Sequence, residues 1–109
     1  MAPKWMDIAE RNLEKGDEIE KTYPAELNDK YGYILMSNQK VQFISEEGFL
    51  RKSYDLMLDM SYEKIQDIKQ GGKYELEITD KEGEKHRFKT RELVAAIPER
   101  ELKELAKRE

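Results

Sequence analysis

Apolar positions along this chain recur at two different periods, and the switches between them divide it into elements. Over residues 3–15, Trp5, Ile8, Ala9 and Leu13 fall at helical spacing among charged positions, and Gly16 follows as a stop, which predicts a short amphipathic helix. From 17 to 27 the period becomes two. Ile19, Lys21, Tyr23, Ala25 and Leu27 then share one face of a strand, and Pro24 on the other face marks an edge or a bulge. A turn at Asn28-Asp29-Lys30 leads into a nearly continuous apolar run at 31–37, rich in β-favouring tyrosine. After a second turn at 37–40, Val41, Phe43 and Ser45 alternate with Gln42 and Ile44, a third strand over 40–46.

Beyond a loop at 47–52, Tyr54, Leu56, Leu58 and Met60 alternate with Asp55, Met57 and Asp59, the pattern of a half-buried fourth strand. Residues 61–64 form one turn, and Ile65 and Ile68 belong to a short fifth strand ending at Gly71-Gly72. Tyr74, Leu76 and Ile78 face one way and Glu75 and Glu77 the other, ahead of the loop Lys81-Glu82-Gly83, whose glycine suits a left-handed turn position. Pairing Asp80 with Glu84 across that loop sets Glu77 opposite Arg87, Glu75 opposite Lys89, Ile78 beside His86 and Leu76 beside Phe88. The returning strand covers 85–90. Leu93, Val94 and Ile97 follow, and Pro98 fits the first turn of a helix reaching about 108, with Leu102, Leu105 and Ala106 inward. Four-residue pairs such as Glu99 with Lys103 support that helix and imply no function. The expected fold is therefore mainly β: a seven-stranded antiparallel barrel or sandwich closed by a C-terminal α-helix, plus a short N-terminal helix. The chain divides into an N-terminal amphipathic helix, 1–16, and a domain at 17–109.

Composition narrows the chemistry. The 109 residues suit one core, and with 40% charged residues the outer surface must be ionic. The apolar runs are far too short to span a bilayer and the N-terminus lacks the order of a signal peptide, so the expected location is the cytoplasm. The absence of cysteine excludes disulfides, thiol catalysis and thiolate metal sites, and the single histidine, His86, excludes His-pair metal sites. No catalytic residue, cofactor or metal is expected. A net charge of −4 and a pI near 5.2 argue against nucleic acid as a partner, which calls for a basic field.

Three runs carry a resemblance. Gly32-Tyr33-Ile34-Leu35-Met36-Ser37-Asn38-Gln39-Lys40-Val41-Gln42-Phe43-Ile44-Ser45 resembles the pattern of GRAM and bacterial pleckstrin-homology (PH) domains: glycine, apolar strand, Ser/Thr-Asn, basic turn residue, then a strand with Phe and Ser. Gly48-Phe49-Leu50-Arg51-Lys52 is similar to the Gly-apolar-apolar-basic-basic loop of the bacterial domains. Leu58-Asp59-Met60-Ser61-Tyr62-Glu63-Lys64-Ile65-Gln66-Asp67-Ile68 is similar to the family's apolar-x-apolar-Pro-x-x-x-Ile-x-x-Ile segment, with Ser61 where Pro is usual. The resemblance covers about 17–105 and implies a PH-like seven-stranded barrel capped by the C-terminal helix. The basic signature by which eukaryotic PH domains hold phosphoinositides is missing, since the first hairpin carries only Lys21, Asn28, Asp29 and Lys30. Function does not follow from the fold.

The candidate contact residues are Phe49, Leu50, Arg51 and Lys52, two large apolar side chains next to two cations. Such a loop inserts at an anionic bilayer or anchors a protein partner; as a plain hairpin tip, it would fold Phe49 back over the barrel. Trp5 lies on a helix too short to persist alone, so its apolar face docks on this barrel, on a second copy or on another protein. The basic row Lys85, Arg87, Lys89 and Arg91 offers four cations at a spacing of two, either for phosphate groups or for the facing glutamates. Asp55, Asp59 and Glu63 are spread along a strand and its end, unlike a calcium loop. Two function classes follow, both non-enzymatic: a protein-interaction or homo-oligomerising module, and a peripheral membrane module that binds anionic lipid through 48–52.

Overall fold

The computed structural model describes residues 3–90 and 92–107. In chain order it holds helix α1 (Lys4–Arg11), strands β1 (Ile19–Leu27), β2 (Lys30–Ser37), β3 (Lys40–Glu47) and β4 (Ser53–Ser61), and a single 3-10 turn (Tyr62–Lys64). Strands β5 (Ile65–Gly72), β6 (Glu75–Asp80) and β7 (Lys85–Lys89) and helix α2 (Ala96–Lys107) complete it. All seven strands lie in one antiparallel sheet, ordered β4-β3-β2-β1-β7-β6-β5. Its outermost strands, β4 and β5, are joined by the three residues of the 3-10 turn.

Every strand contributes to one apolar cluster. Ala25, Ile34, Phe43, Met60, Ile68, Ile78 and Phe88 come from β1 to β7 in turn, with Leu102 and Leu105 of α2 closing over them. The Phe43 and Phe88 rings lie 5.8 Å apart although β3 and β7 are separated by two strands. Three strand spacings amount to roughly 14 Å in a flat sheet, so this sheet is strongly curled around its core. Turn chemistry supports the curl. Asn28 and Asp29 both have positive φ (53° and 65°), so β1 and β2 meet in the two-residue turn that matches strand twist.

A second cluster lies on the opposite face, where Trp5, Met6, Ile8 and Ala9 of α1 pack on Tyr33, Leu35, Ile44, Tyr54 and Leu56. Trp5 stacks on Tyr33 at 4.1 Å between ring centres. Polar contacts fix the end of this helix: Gln42 Nε2 donates to the Ala9 carbonyl (3.2 Å) and Lys40 Nζ to that of Asn12 (2.8 Å). Docking is thus on the same chain, and α1 and the sheet form one packed unit.

Several expectations are corrected. The first helix stops at Arg11 and not near Lys15, because Asn12 turns its amide back to the Ile8 carbonyl; Gly16, with φ +90°, serves the turn before β1. In β1 and β4 the expected single faces are split by bulges. An extra residue, Glu20, sends Ile19 to the α1 side while Tyr23, Ala25 and Leu27 face the main core. Another, Met57, sends Tyr54 and Leu56 to α1 while Leu58 and Met60 stay in the core. Tyr74 does not share the inward face of Leu76 and Ile78. It sits in the two-residue turn between Gly72 and Glu75, half exposed, with the Lys73 ammonium 5.5 Å from its ring.

Candidate functional site

The β3–β4 hairpin closes at Glu47 and Ser53, leaving residues 48–52 as its tip. Gly48 makes that tip possible. Its φ is +105°, and a Cβ there would lie 2.1 Å from the Arg51 carbonyl oxygen. The chain therefore doubles back sharply on itself, and the next two side chains are thrown to the apex. Phe49 is 94% exposed and Leu50 90%, so neither folds back over the sheet. Side chains this bare are ordinary singly, but two together at an apex make an apolar projection with no partner among the described residues.

The charges around the tip are largely matched. Lys52 Nζ lies 3.3 Å from Glu46 Oε1, and Lys30, at the start of β2, pairs with Glu47. The Lys30 ammonium is held above its ordinary pKa by that hydrogen bond. Arg51 is exposed and has no ion pair among the described residues. The apex is thus apolar, with a single unmatched cation beside it.

The other candidates resolve differently. Lys85, Arg87 and Lys89 do lie on one face of β7, while Arg91 lies outside the described residues. The predicted register holds: Glu77 faces Arg87, Glu75 faces Lys89, Ile78 faces His86 and Leu76 faces Phe88. Glu77 is only 5% exposed, hydrogen-bonded by Arg87 Nε at 3.1 Å, with the Lys69 and Lys85 ammonium groups at 3.7 and 3.9 Å. The Arg87 hydrogen bond, with these charges, holds its carboxyl below the ordinary glutamate range. Two cations of the row, with Lys69, serve this carboxylate. Trp5 is committed to Tyr33, and Asp59 pairs with Lys40 at 2.9 Å. Asp55 and Glu63 are exposed.

One grouping was not anticipated. On the core-facing side of the β6–β7 hairpin, Leu76 and Ile78 are followed by Asp80, and Phe88 is preceded by His86 and Glu84. The inward face thus runs out of apolar residues at its turn end and finishes in three titratable ones. Their ligand atoms lie within 4.8 Å of one another. Asp80 Oδ1 accepts the N–H groups of Glu82 (2.9 Å) and Glu84 (3.0 Å), while its Oδ2 lies 3.2 Å from His86 Nε2. The His86 hydrogen bond is the main reason the Asp80 carboxyl stays below its ordinary range. The sequence signal was the alternation itself, 80 continuing 76 and 78, and 84 continuing 88 and 86.

This fold and site define a mainly β domain: seven antiparallel strands in one sheet, a C-terminal helix, a docked N-terminal helix and an exposed apolar hairpin tip. No family model matches the chain, and no curated protein does. Among solved structures, the C-terminal domain of an unknown protein from Leishmania infantum is similar to it. The TM-score is 0.61 at 14% identity, over 91% of this chain and 88% of that one. At that identity the likeness shows the fold alone. No described helix is long and apolar enough to cross a membrane.

Proposed function

We propose that this chain is a non-enzymatic PH- or GRAM-like binding module that mediates protein–protein interaction or its own oligomeric assembly, with the 48–52 tip as its contact. The observation that carries this reading is the pair Phe49 and Leu50, 94% and 90% exposed at an apex that only glycine at 48 allows. Burying the two side chains in a partner would contribute about 1.5–3 kcal/mol each, the scale of an interface anchor. The three sequence runs that resemble the family, and the order of seven antiparallel strands before a helix, support the PH-like assignment.

Attachment to anionic lipid is the second reading, favoured by Arg51 beside the apolar pair. It is the weaker one. Each free cation near an acidic bilayer contributes about 1 kcal/mol, and here Lys52 and Lys30 are already matched by Glu46 and Glu47 on a chain of net charge −4. The test compares the parent with a Phe49→Ser, Leu50→Ser double variant, by light scattering over a range of concentrations and by sedimentation with phosphatidylserine-rich vesicles. A mass that rises with concentration in the parent alone, with no pelleting of either protein, is the expected result. Salt-sensitive pelleting of the parent, lost in the variant, would replace it with the membrane reading.

A further inference from the structure

We infer that Asp80, Glu84 and His86 form a binding site for a borderline divalent cation of the Zn2+ or Co2+ type, at the turn end of the β6–β7 hairpin. The donor set fits that class: one imidazole and two carboxylates suit zinc, whereas calcium needs six or more oxygens. Position fits as well. The ladder sets Ile78 beside His86, and the Asp80 N–H donates to the Glu84 carbonyl at 3.0 Å, so the backbone under all three ligands is held by the strand register.

One ligand pair already stands at the separation a metal requires. Four ligands at 2.0–2.1 Å from zinc stand about 3.3 Å apart along the edges of a tetrahedron. Asp80 Oδ2 and His86 Nε2 are 3.2 Å apart, so the pair already spans one such edge, and the cation would take the place of the proton between them. Asp80 is preoriented, because its other oxygen is held by two backbone N–H groups. The Asp80 and His86 side chains are 16% and 15% exposed, while Glu84 is exposed and free to swing in as the third ligand.

A second observation supports the site. Asp80 and His86 open into a cavity of about 320 Å³ floored by Leu58 and Met60 of β4. Beside the Asp80–His86 pair this cavity leaves room for water or a small anion. Lys64 and Lys81 also line this cavity and repel a cation; Glu82, on the same walls, offsets part of that repulsion. The site is separate from the 48–52 tip, and the inference does not depend on how the tip is used.

The experiment uses the untagged chain, stripped with EDTA and titrated with Zn2+ by calorimetry, while NMR follows the ring protons of its only histidine. One Zn2+ per chain is expected, with the His86 signals shifting in step. At roughly a hundredfold excess over Kd, Tm should rise by about 10 °C and fall back with EDTA. Glu84→Gln, at an exposed position, should keep the metal-free Tm and weaken binding by about tenfold or more. His86→Gln should abolish binding. Equal Zn2+ affinity in the parent, Glu84→Gln and His86→Gln, or unmoved His86 signals at millimolar Zn2+, would overturn the site.

Discussion

The contact between Phe43 and Phe88 gives the most direct test of how this sheet is folded. Both side chains are fully buried, and their rings lie 5.8 Å apart from strands that are not neighbours. Full truncation of either to alanine should cost about 3–5 kcal/mol. That is a large part of the roughly 5–15 kcal/mol expected for a domain of this size, so leucine is the better probe. Phe43→Leu and Phe88→Leu keep most of the volume and should each cost about 1 kcal/mol. Aromatic pairs at this separation carry about 0.5–1.5 kcal/mol beyond area burial, and that share is lost once, by whichever ring goes first. The double variant should therefore be less destabilised than the sum of the singles by about 1 kcal/mol. Urea titrations of the four proteins measure the difference, with a common slope as the condition that the denatured state is unchanged. Additivity within about 0.3 kcal/mol would mean the rings do not touch, and the curl that brings β3 to β7 would be wrong.

Charge reversal at Glu77 and Arg87 should show the same logic on the other face: reversing both should destabilise less than reversing either alone, by thermal melting. Acid should weaken the fold through Glu77, Asp80 and Glu99, whose carboxyls are held below their ordinary 4.5, 3.8 and 4.5 chiefly by hydrogen bonds from Arg87, His86 and Gln70. With folded values depressed, their contribution is complete above the unfolded pKa range and is lost as pH falls through it towards the folded values. Urea midpoints should therefore be flat above about pH 5.5 and drop below about pH 4.5; a rise on acidification would contradict these contacts. At the tip, Gly48→Ala should cost about 1–3 kcal/mol, because it combines positive φ with a Cβ 2.1 Å from the Arg51 carbonyl oxygen. Gly83→Ala, where φ is +89° but the space is open, should cost less in the same urea assay. Equal losses would mean the close approach at Gly48 is absent.

The hairpin around Lys81-Glu82-Gly83 was legible residue by residue because its information is local: a turn with one glycine and two alternating strands admit one register. The inward stripe of α2 was legible for the same reason, with Leu102 and Leu105 buried as their spacing required. The 48–52 tip could be picked out by composition, yet its direction could not. Whether Phe49 folds back depends on whether the sheet beneath offers it a cavity, and that is set by strands far away in sequence. The Asp80, Glu84 and His86 group was hidden differently, since each residue had a sufficient local role as turn bracket or rim residue.

Local periodicity thus determined the seven strands, both helices and the pairing of the last hairpin, because each rests on contacts within a few residues. Tertiary structure decided the faces. In β1 and β4 the sequence alternates evenly, and nothing in that alternation marks Glu20 or Met57 as the residue left out of register. The bulges arise because two apolar bodies, the curled core and α1, lie on opposite sides of the same strands, so one run of side chains must serve both. A period of two says that residues share a face; only the packing of the whole chain says where along the strand that face changes sides.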